Sequence, residues 1–318
     1  MTIKVLIDTD PGIDDAMALI FAHLAPSIEI VGITTVMGNG SIEAVTQNAL
    51  YICEQFDINV PIHQGAAHPL LVPPEAPAIF VHGDDALGNV QPPTASHTIG
   101  EQYAAGFIVD TILAHPHEIT LVSLGRLTNI AMALRINPDI ANLVKQVVVM
   151  GGALGSNQFT GNISPVAEAN IYGDPHAADL VLTTAWPVTL VGLDVTMQCI
   201  MTATHVQDLR SRAGSAGQFI WDITRHYDAF YRSTHGTDGF AIHDSCPIAY
   251  LLAPELFDVQ AGPVRVVTEG ISRGQTILVP AGKRFPPNAW DNLTDQQGAL
   301  NVDPTAVINL YLETLSQH

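Results

Sequence analysis

Four carboxylates fall within eight consecutive residues near the start of the chain, in Asp8-Thr9-Asp10-Pro11-Gly12-Ile13-Asp14-Asp15. Charges of one sign at this density repel one another unless protons or a cation compensate them. A helix start explains part of the pattern, because first-turn amides and the helix dipole favour acids such as Asp14 and Asp15. It leaves Asp8 and Asp10 unexplained. An acidic cap beside a solvated loop is the plainer alternative; a hard-cation site built from oxygen ligands accounts for all four.

Two later segments carry further candidates. The run from Gly161 to Asn170 sets Asn162, Glu168 and Asn170 among small and apolar residues. Their mixed donors and acceptors suit a polyhydroxylated ligand such as a sugar, although an Asx turn alone would account for Asn162. His243-Asp244 opens a predicted helix. Asp244 reads either as an ordinary N-cap or as a further acid of the cation site, with His243 beside it as a general acid. His82, on a glycine-rich loop, is a candidate of the same kind. Among 13 histidines, spacing alone does not single out these two. Tyr227 and Tyr231, four apart on a predicted helix, share a face and either pack in the core or stack on a flat ligand.

Strand and helix signals alternate along the chain. Strands are predicted at Val5–Ile7, Glu29–Val36, Val60–His63, Ile119–Ser123, Val144–Met150 and Val188–Leu193. Between them lie helices from near Asp14, over Ser41–Phe56, Gly100–Ala114 and Thr128–Arg135, and from Asp174-Pro175 to about Leu182. A Pro-rich segment from His68 to Ser96 reads as a long functional loop. Helices follow over Ala203–Arg212, Ala216–Tyr231 and from Asp244 through Leu252, then an antiparallel pair, Val264–Thr268 with Gln275–Val279, and a last helix over Pro304–Leu315. Such alternation implies an α/β fold with a doubly wound, mostly parallel sheet flanked by helices. We expect one domain over residues 1–318, with a helical insertion or cap near 200–240. Ligands of such sheets bind beyond the carboxyl ends of the strands. Here those ends read Asp8-Thr9-Asp10, Met37-Gly38-Asn39, Leu124-Gly125, Met150-Gly151-Gly152 and Asp194, so the opening acids lie at the expected site.

Composition narrows the function classes. The net charge is −19 with only 12 Lys and Arg, which argues against a nucleic-acid surface or an anionic membrane as partner. Three dispersed cysteines form no zinc or thioredoxin-type motif, and with a strand opening the chain they point to a reduced, cytoplasmic setting. Dinucleotide, P-loop and nucleophile-elbow motifs are all missing from the sequence.

The aspartate run resembles the signature of the inosine/uridine-preferring nucleoside hydrolase family. The likeness continues through Gly38-Asn39, His82-Gly83, Leu124-Gly125-Arg126-Leu127-Thr128-Asn129, Met150-Gly151-Gly152, Asn162 to Asn170 and His243-Asp244, in order along nearly the whole chain. This resemblance implies a Rossmann-like fold and a ribonucleoside hydrolase that releases ribose and a free purine or pyrimidine base. It implies a Ca²⁺ held by Asp10, Asp15, the Leu124 carbonyl and Asp244, with Asp8 in support. Asp10 would deprotonate the attacking water, with inversion at C1′. Asp14, Asn39, Asn162, Glu168 and Asn170 would hold the ribose, His243 would assist the leaving base, and His82, Tyr227 and Tyr231 would line the base side. A homodimer or homotetramer is implied as well. The chain departs from the family pattern in two places: Ala86 replaces a loop glycine, and Ala169 replaces an aromatic found in some members.

Two other classes compete. Asp8-x-Asp10 after a first strand also fits a haloacid-dehalogenase-type phosphatase, but Pro11 follows Asp10 and no lysine is well placed. A non-catalytic nucleoside or sugar binder would not need Asp10, Asp15, His243 and Asp244 together.

Overall fold

The computed structural model describes residues 2–317. Its first strand, β1 (Ile3–Thr9), buries Val5, Leu6 and Ile7 completely, as a strand covered on both faces requires. β2 (Ile28–Thr35) and β3 (Ile62–Gln64) extend the sheet on one side, while β4 (Ile119–Ser123), β5 (Gln146–Met150) and β6 (Val188–Val191) extend it on the other. All these pairs are parallel. The chain runs outward from β1 to β3 and then returns to β4 beside β1. The direction of winding therefore reverses between β1 and β4, and the connections leaving their carboxyl ends run to opposite sides of the sheet, which makes a crevice there.

The linking helices are α1 (Ile13–Leu24), α2 (Ile42–Gln55), the one-turn α3 (Ile79–His82), α4 (Ala104–Ala114), α5 (Thr128–Ile136), the short α6 (Ala169–Gly173) and α7 (Pro175–Thr183). The sequence reading gives 68–96 as a continuous loop; α3 is helical within it. Beyond its acidic first turn α1 is almost wholly apolar, with every residue from Ile13 to Ala22 buried, and so runs inside the molecule rather than over its surface.

Beyond β6 come α8 (Leu193–Thr196), the two-residue strand β7 (Ile200–Met201), α9 (Ala203–Arg212), α10 (Gly214–His235) and β8 (Phe240–Ala241). β7 pairs antiparallel with β8. The α9–α10 hairpin occupies the region expected for the helical cap, and α10 packs against α3 and α1. α11 (Ser245–Leu252) follows, then β9 (Phe257–Gly262), the hairpin of β10 (Val264–Val266) and β11 (Thr276–Leu278), β12 (Gln296–Val302) and α12 (Pro304–Ser316).

β9 and β12 are additions to the sequence reading. β12 joins β6 in parallel and β9 lies antiparallel at the edge, completing an eight-stranded sheet. The segment Gln296–Val302 is too polar to read as a strand. Gln296 nonetheless sits fully inside, because its amide accepts from Val188 N–H and donates to the carbonyls of Leu182 and Thr184. The predicted strand to Leu193 also stops early, at Val191, and Asp194 lies on α8.

One buried side chain ties the crevice walls together. Asn129 donates from Nδ2 to Asp8 Oδ1 (2.8 Å) and to the Thr35 carbonyl (2.9 Å), while its Oδ1 accepts from Ala66 N–H (2.8 Å). Replacing it with leucine strands buried polar groups on three segments at once. Asn129→Leu is expected to lower unfolding stability by about 3 kcal/mol. Chemical denaturation measures this, and an unchanged midpoint would contradict the pinning role.

Candidate active site

The floor of the site is the end of β1 and the start of α1. Asp15 sits at the third position of α1 and closes that helix: its Oδ2 accepts from Gly12 N–H (3.0 Å) and its Oδ1 from Asp10 N–H (3.2 Å) and the Thr9 hydroxyl. Asn39, after β2, donates from Nδ2 to Asp15 Oδ2 (2.9 Å) and from its backbone to Asp10 Oδ2 (2.8 Å). Asp10 is wedged between two chain segments that have no side chain to spare. A Cβ at Gly38 would lie 1.8 Å from Asp10 Oδ2, and one at Gly125 would lie 2.4 Å from Oδ1. Asp8 lies deeper, gripped by Thr34 and Asn129.

These acids are almost entirely out of water, and burial dominates their titration. It raises Asp8 and Asp14 to about 7, and raises Asp10 and Asp244 well above the usual carboxylate range. Neighbouring carboxylates push Asp10, Asp14 and Asp244 further in the same direction, while Arg126, buried behind β4, favours ionised Asp10 and Glu168. One oxygen each of Asp14, Asp15 and Asp244 lies within 4.8 Å of the others. Asp10 Oδ1 and Asp14 Oδ1 are buried without a hydrogen-bond partner. Buried, converging, underused carboxylate oxygens are the donor set a hard cation takes.

The side wall comes from α6 and the loop before it. Glu168 is the N-cap of α6, and its carboxylate accepts from the N–H groups of Asn170 (2.8 Å), Gly152 (2.9 Å) and Ile171 (3.1 Å). Most of its acceptor capacity is thus used in holding the wall. Asn170 donates to the carbonyl of Leu124 (2.7 Å) and also reaches that of Met150 (3.3 Å). Asn162 is exposed and accepts from Ala169 N–H (3.0 Å), seven residues on, a bond across the loop rather than an Asx turn.

Aromatic and imidazole rings make the roof. His82 Nδ1 accepts from Ile13 N–H (3.3 Å) and lies 3.9 Å from Asp14 Oδ1. Tyr227, on α10, donates to Asp14 Oδ2 (3.3 Å) and stacks on the His82 ring. Tyr231 meets Tyr227 edge-on, and its hydroxyl lies 2.6 Å from His243 Nε2. The other nitrogen of His243 lies 2.7 Å from the hydroxyl of Thr196, on α8. Burial lowers His243 to about 4 and His82 to about 3, so both rings are neutral near pH 7.

One cavity unites these parts. It is lined by Asp14, Asn39, His82, Leu124, Asn162, Glu168, Asn170, Tyr227, Tyr231, His243 and Asp244. Asp8, Asp10 and Asp15 lie beneath its floor rather than on its surface. Asp194, one of the acids assigned to the strand ends, is elsewhere: it accepts from Leu154 N–H and from Ser156. Sequence reasoning missed Phe80, Met197, Phe230 and His235, which line the outer chamber. Of these, Phe80 carried a signal, an aromatic two residues before His82. Ala169 also lines the rim, where it offers no ring to a base. Ala86 is buried at φ +60°, a left-handed conformation that suits glycine better.

The raised acids have a consequence for cation binding. A carboxyl with a raised folded-state pKa keeps its proton until the pH passes that value. Below about 7, the value for Asp8 and Asp14, a cation must displace protons from the site; as the pH rises through and beyond it, these acids and the likewise raised Asp10 and Asp244 give up protons and the competition weakens. Calcium is therefore expected to raise the thermal midpoint over a chelator control strongly at about pH 8 and little at about pH 5. Equal shifts at both pH values would contradict a site built on these acids.

The chain resembles known proteins across its length. It is 39% identical over 314 residues to "Probable uridine nucleosidase 1" of Oryza sativa subsp. japonica, covering 98% of this chain and 96% of that protein. It is 41% identical over 279 residues to the "Inosine-uridine preferring nucleoside hydrolase" of Leishmania major, covering 86% of this chain and 87% of that one. Among solved structures, the plant nucleoside hydrolase PpNRh1 superposes with a TM-score of 0.96 at 35% identity, covering all of both chains. The purine-preferring ribonucleoside hydrolase of Gardnerella vaginalis gives 0.91 at 31% identity, covering 99% of this chain and 98% of its own. With residues 5–309 also matched by that family's sequence model, the chain belongs to the inosine-uridine preferring nucleoside hydrolases.

Proposed function

We propose that this enzyme cleaves the N-glycosidic bond of ribonucleosides with a calcium-activated water, giving ribose and a free base with inversion at C1′. The observation that carries this reading is a single cavity with two chemically opposite ends. Its floor is a nest of buried acids, and its roof is a set of neutral imidazole and phenol groups. Bond cleavage makes the sugar positive and the base negative. The acids face the charge that develops on the sugar, and the donors face the charge that develops on the base.

Asp10, Asp15, Asp244 and the Leu124 carbonyl would hold the calcium ion. The buried oxygens that converge without partners support a cation there, although those that converge most closely are on Asp14, Asp15 and Asp244. The family resemblance gives Asp14 to the ribose, and its place in the cavity lining supports that; Oδ1 is unpartnered on Asp14 and on Asp10 beneath it alike. The ion, when bound, supplies Lewis-acid polarisation of the water and of the ribose 2′- and 3′-hydroxyls.

The remaining work falls to side chains. Asp10 is kept basic by burial and takes the proton of the attacking water. Asp14, Asn39, Asn162, Glu168 and Asn170 orient the ribose, and Asp8 holds the end of β1. His243, neutral near pH 7, assists the departing base through hydrogen bonding rather than as a charged acid, with Tyr231 beside it. His82, Tyr227 and Tyr231 receive the flat face of the base. The relatives named as uridine nucleosidases support uridine as an expected substrate. The reading extends to residues 1–318 acting as one domain in a cytoplasmic homodimer or homotetramer. Three buried free cysteines support a reducing compartment.

A hydrolysis panel tests the reading. Uridine and inosine should be cleaved at least about 100-fold faster than their 2′-deoxy forms, because a site built to bind a hydroxyl discriminates strongly against its loss. Comparable rates for the two sugar types would count against it. A His243→Gln variant separates leaving-group assistance from sugar chemistry. It should lose about 10²-fold on uridine yet stay near wild type on p-nitrophenyl β-D-riboside, whose leaving group needs no help. Equal loss on both substrates would remove His243 from the leaving-group role.

A further inference from the structure

Thr196 belongs to no motif, yet it is fully buried and its hydroxyl lies 2.7 Å from Nδ1 of His243. Two sets of backbone bonds fix the pair. Thr196 N–H donates to the Gly192 carbonyl (3.1 Å), and Ile242 N–H, just before His243, donates to the Cys199 carbonyl (3.1 Å). The short β7–β8 pairing, with Ile200 opposite Ala241, locks the two segments in this register.

Each ring nitrogen of His243 meets a hydroxyl that can donate or accept, so these two partners decide which nitrogen of the imidazole carries its proton. If Thr196 accepts from Nδ1–H, Nε2 is bare and Tyr231 must turn its hydrogen back toward His243. If Thr196 donates to Nδ1, the ring proton sits on Nε2 and donates to the Tyr231 oxygen. The phenolic hydrogen of Tyr231 is then free to point into the cavity. Every donor in that second chain points the same way, from Thr196 through His243 and Tyr231 to the ligand. Hydrogen bonds aligned in this way polarise one another.

We propose that Thr196 is a positioning residue for the leaving-group step, donating to His243 Nδ1 so that the chain Thr196–His243–Tyr231 presents a hydrogen to the departing base. The proposal rests on the reading that His243 and Tyr231 face the base. No proton needs to change owner within the chain: the base leaves hydrogen-bonded and takes its proton from solvent.

The isosteric Thr196→Val variant removes only the hydroxyl, and Thr196→Ser restores it. Thr196→Val should lower kcat on uridine about 10-fold, with KM little changed. It should leave p-nitrophenyl β-D-riboside unaffected, and Thr196→Ser should recover most of the loss. Nitrogen-15 NMR of the wild-type enzyme should find the His243 proton on Nε2. A proton on Nδ1 would overturn the proposal whether or not the variants fold. So would unchanged uridine turnover in Thr196→Val, or equal loss on both substrates. If His243→Gln is selective for uridine and Thr196→Val is not, only the Thr196 assignment falls. If His243→Gln loses both substrates alike, the underlying reading falls and takes this one with it.

Discussion

The structure is organised around buried negative charge. Two carboxylates about 4 Å apart repel by about 4 kcal/mol at the effective dielectric of a protein, and this floor brings several together out of water. Bound protons relieve part of that repulsion, as the raised titration of Asp8, Asp10, Asp14 and Asp244 indicates. Donors relieve more: the Gly12 and Asp10 amides on Asp15, the Asn39 amide on Asp10, and Thr34 with Asn129 on Asp8. The fold concentrates acids at the carboxyl ends of β1 and β4, where the direction of winding reverses. Glycines at 38 and 125 let two backbone segments close over Asp10 without displacing it.

The roof has a separate origin. Its rings come from α3, α10 and the residue preceding Asp244, and they stay neutral because burial opposes charge on an imidazole as it does on a carboxylate. For the acids this means protons or a cation in the folded protein. For the histidines it means rings that donate or accept without carrying net charge. The same loss of solvent therefore produces two kinds of chemistry within one cavity.

How much of this the sequence revealed depended on whether a signal was local. β1 and α1 were legible because Val5–Ile7 is an unbroken apolar run, as a strand covered on both faces requires, and Ile13, Met17, Ile20 and Leu24 recur at helical spacing. The acids followed, since their density has no structural explanation in a helix cap. β12 was not legible: Gln296 reads as a surface residue until the carbonyls of Leu182 and Thr184, more than a hundred positions away in sequence, take up its amide. Asp194 misled for the opposite reason. It follows a strand as the site acids do, but the strand ends at Val191 and the turn of α8 aims it at Ser156. Thr196 and Arg126 acquire meaning only from partners distant in sequence, and no periodicity reports those.

Floor and roof are not independent, because Tyr227 belongs to both. Its hydroxyl donates to Asp14 Oδ2 and its ring stacks on His82, whose Nδ1 in turn accepts from the first amide of α1. A ligand that competes for Asp14 must therefore disturb the bond that holds the Tyr227 ring, and a ring that shifts to meet a base loosens its hold on Asp14. On the proposed assignment of Asp14 to the ribose and Tyr227 to the base, sugar and base recognition are coupled through one phenol. In that geometry, discrimination between nucleosides need not lie in contacts to the base alone: a base that seats Tyr227 poorly also leaves Asp14 poorly aligned for the ribose, and so lowers turnover as well as affinity.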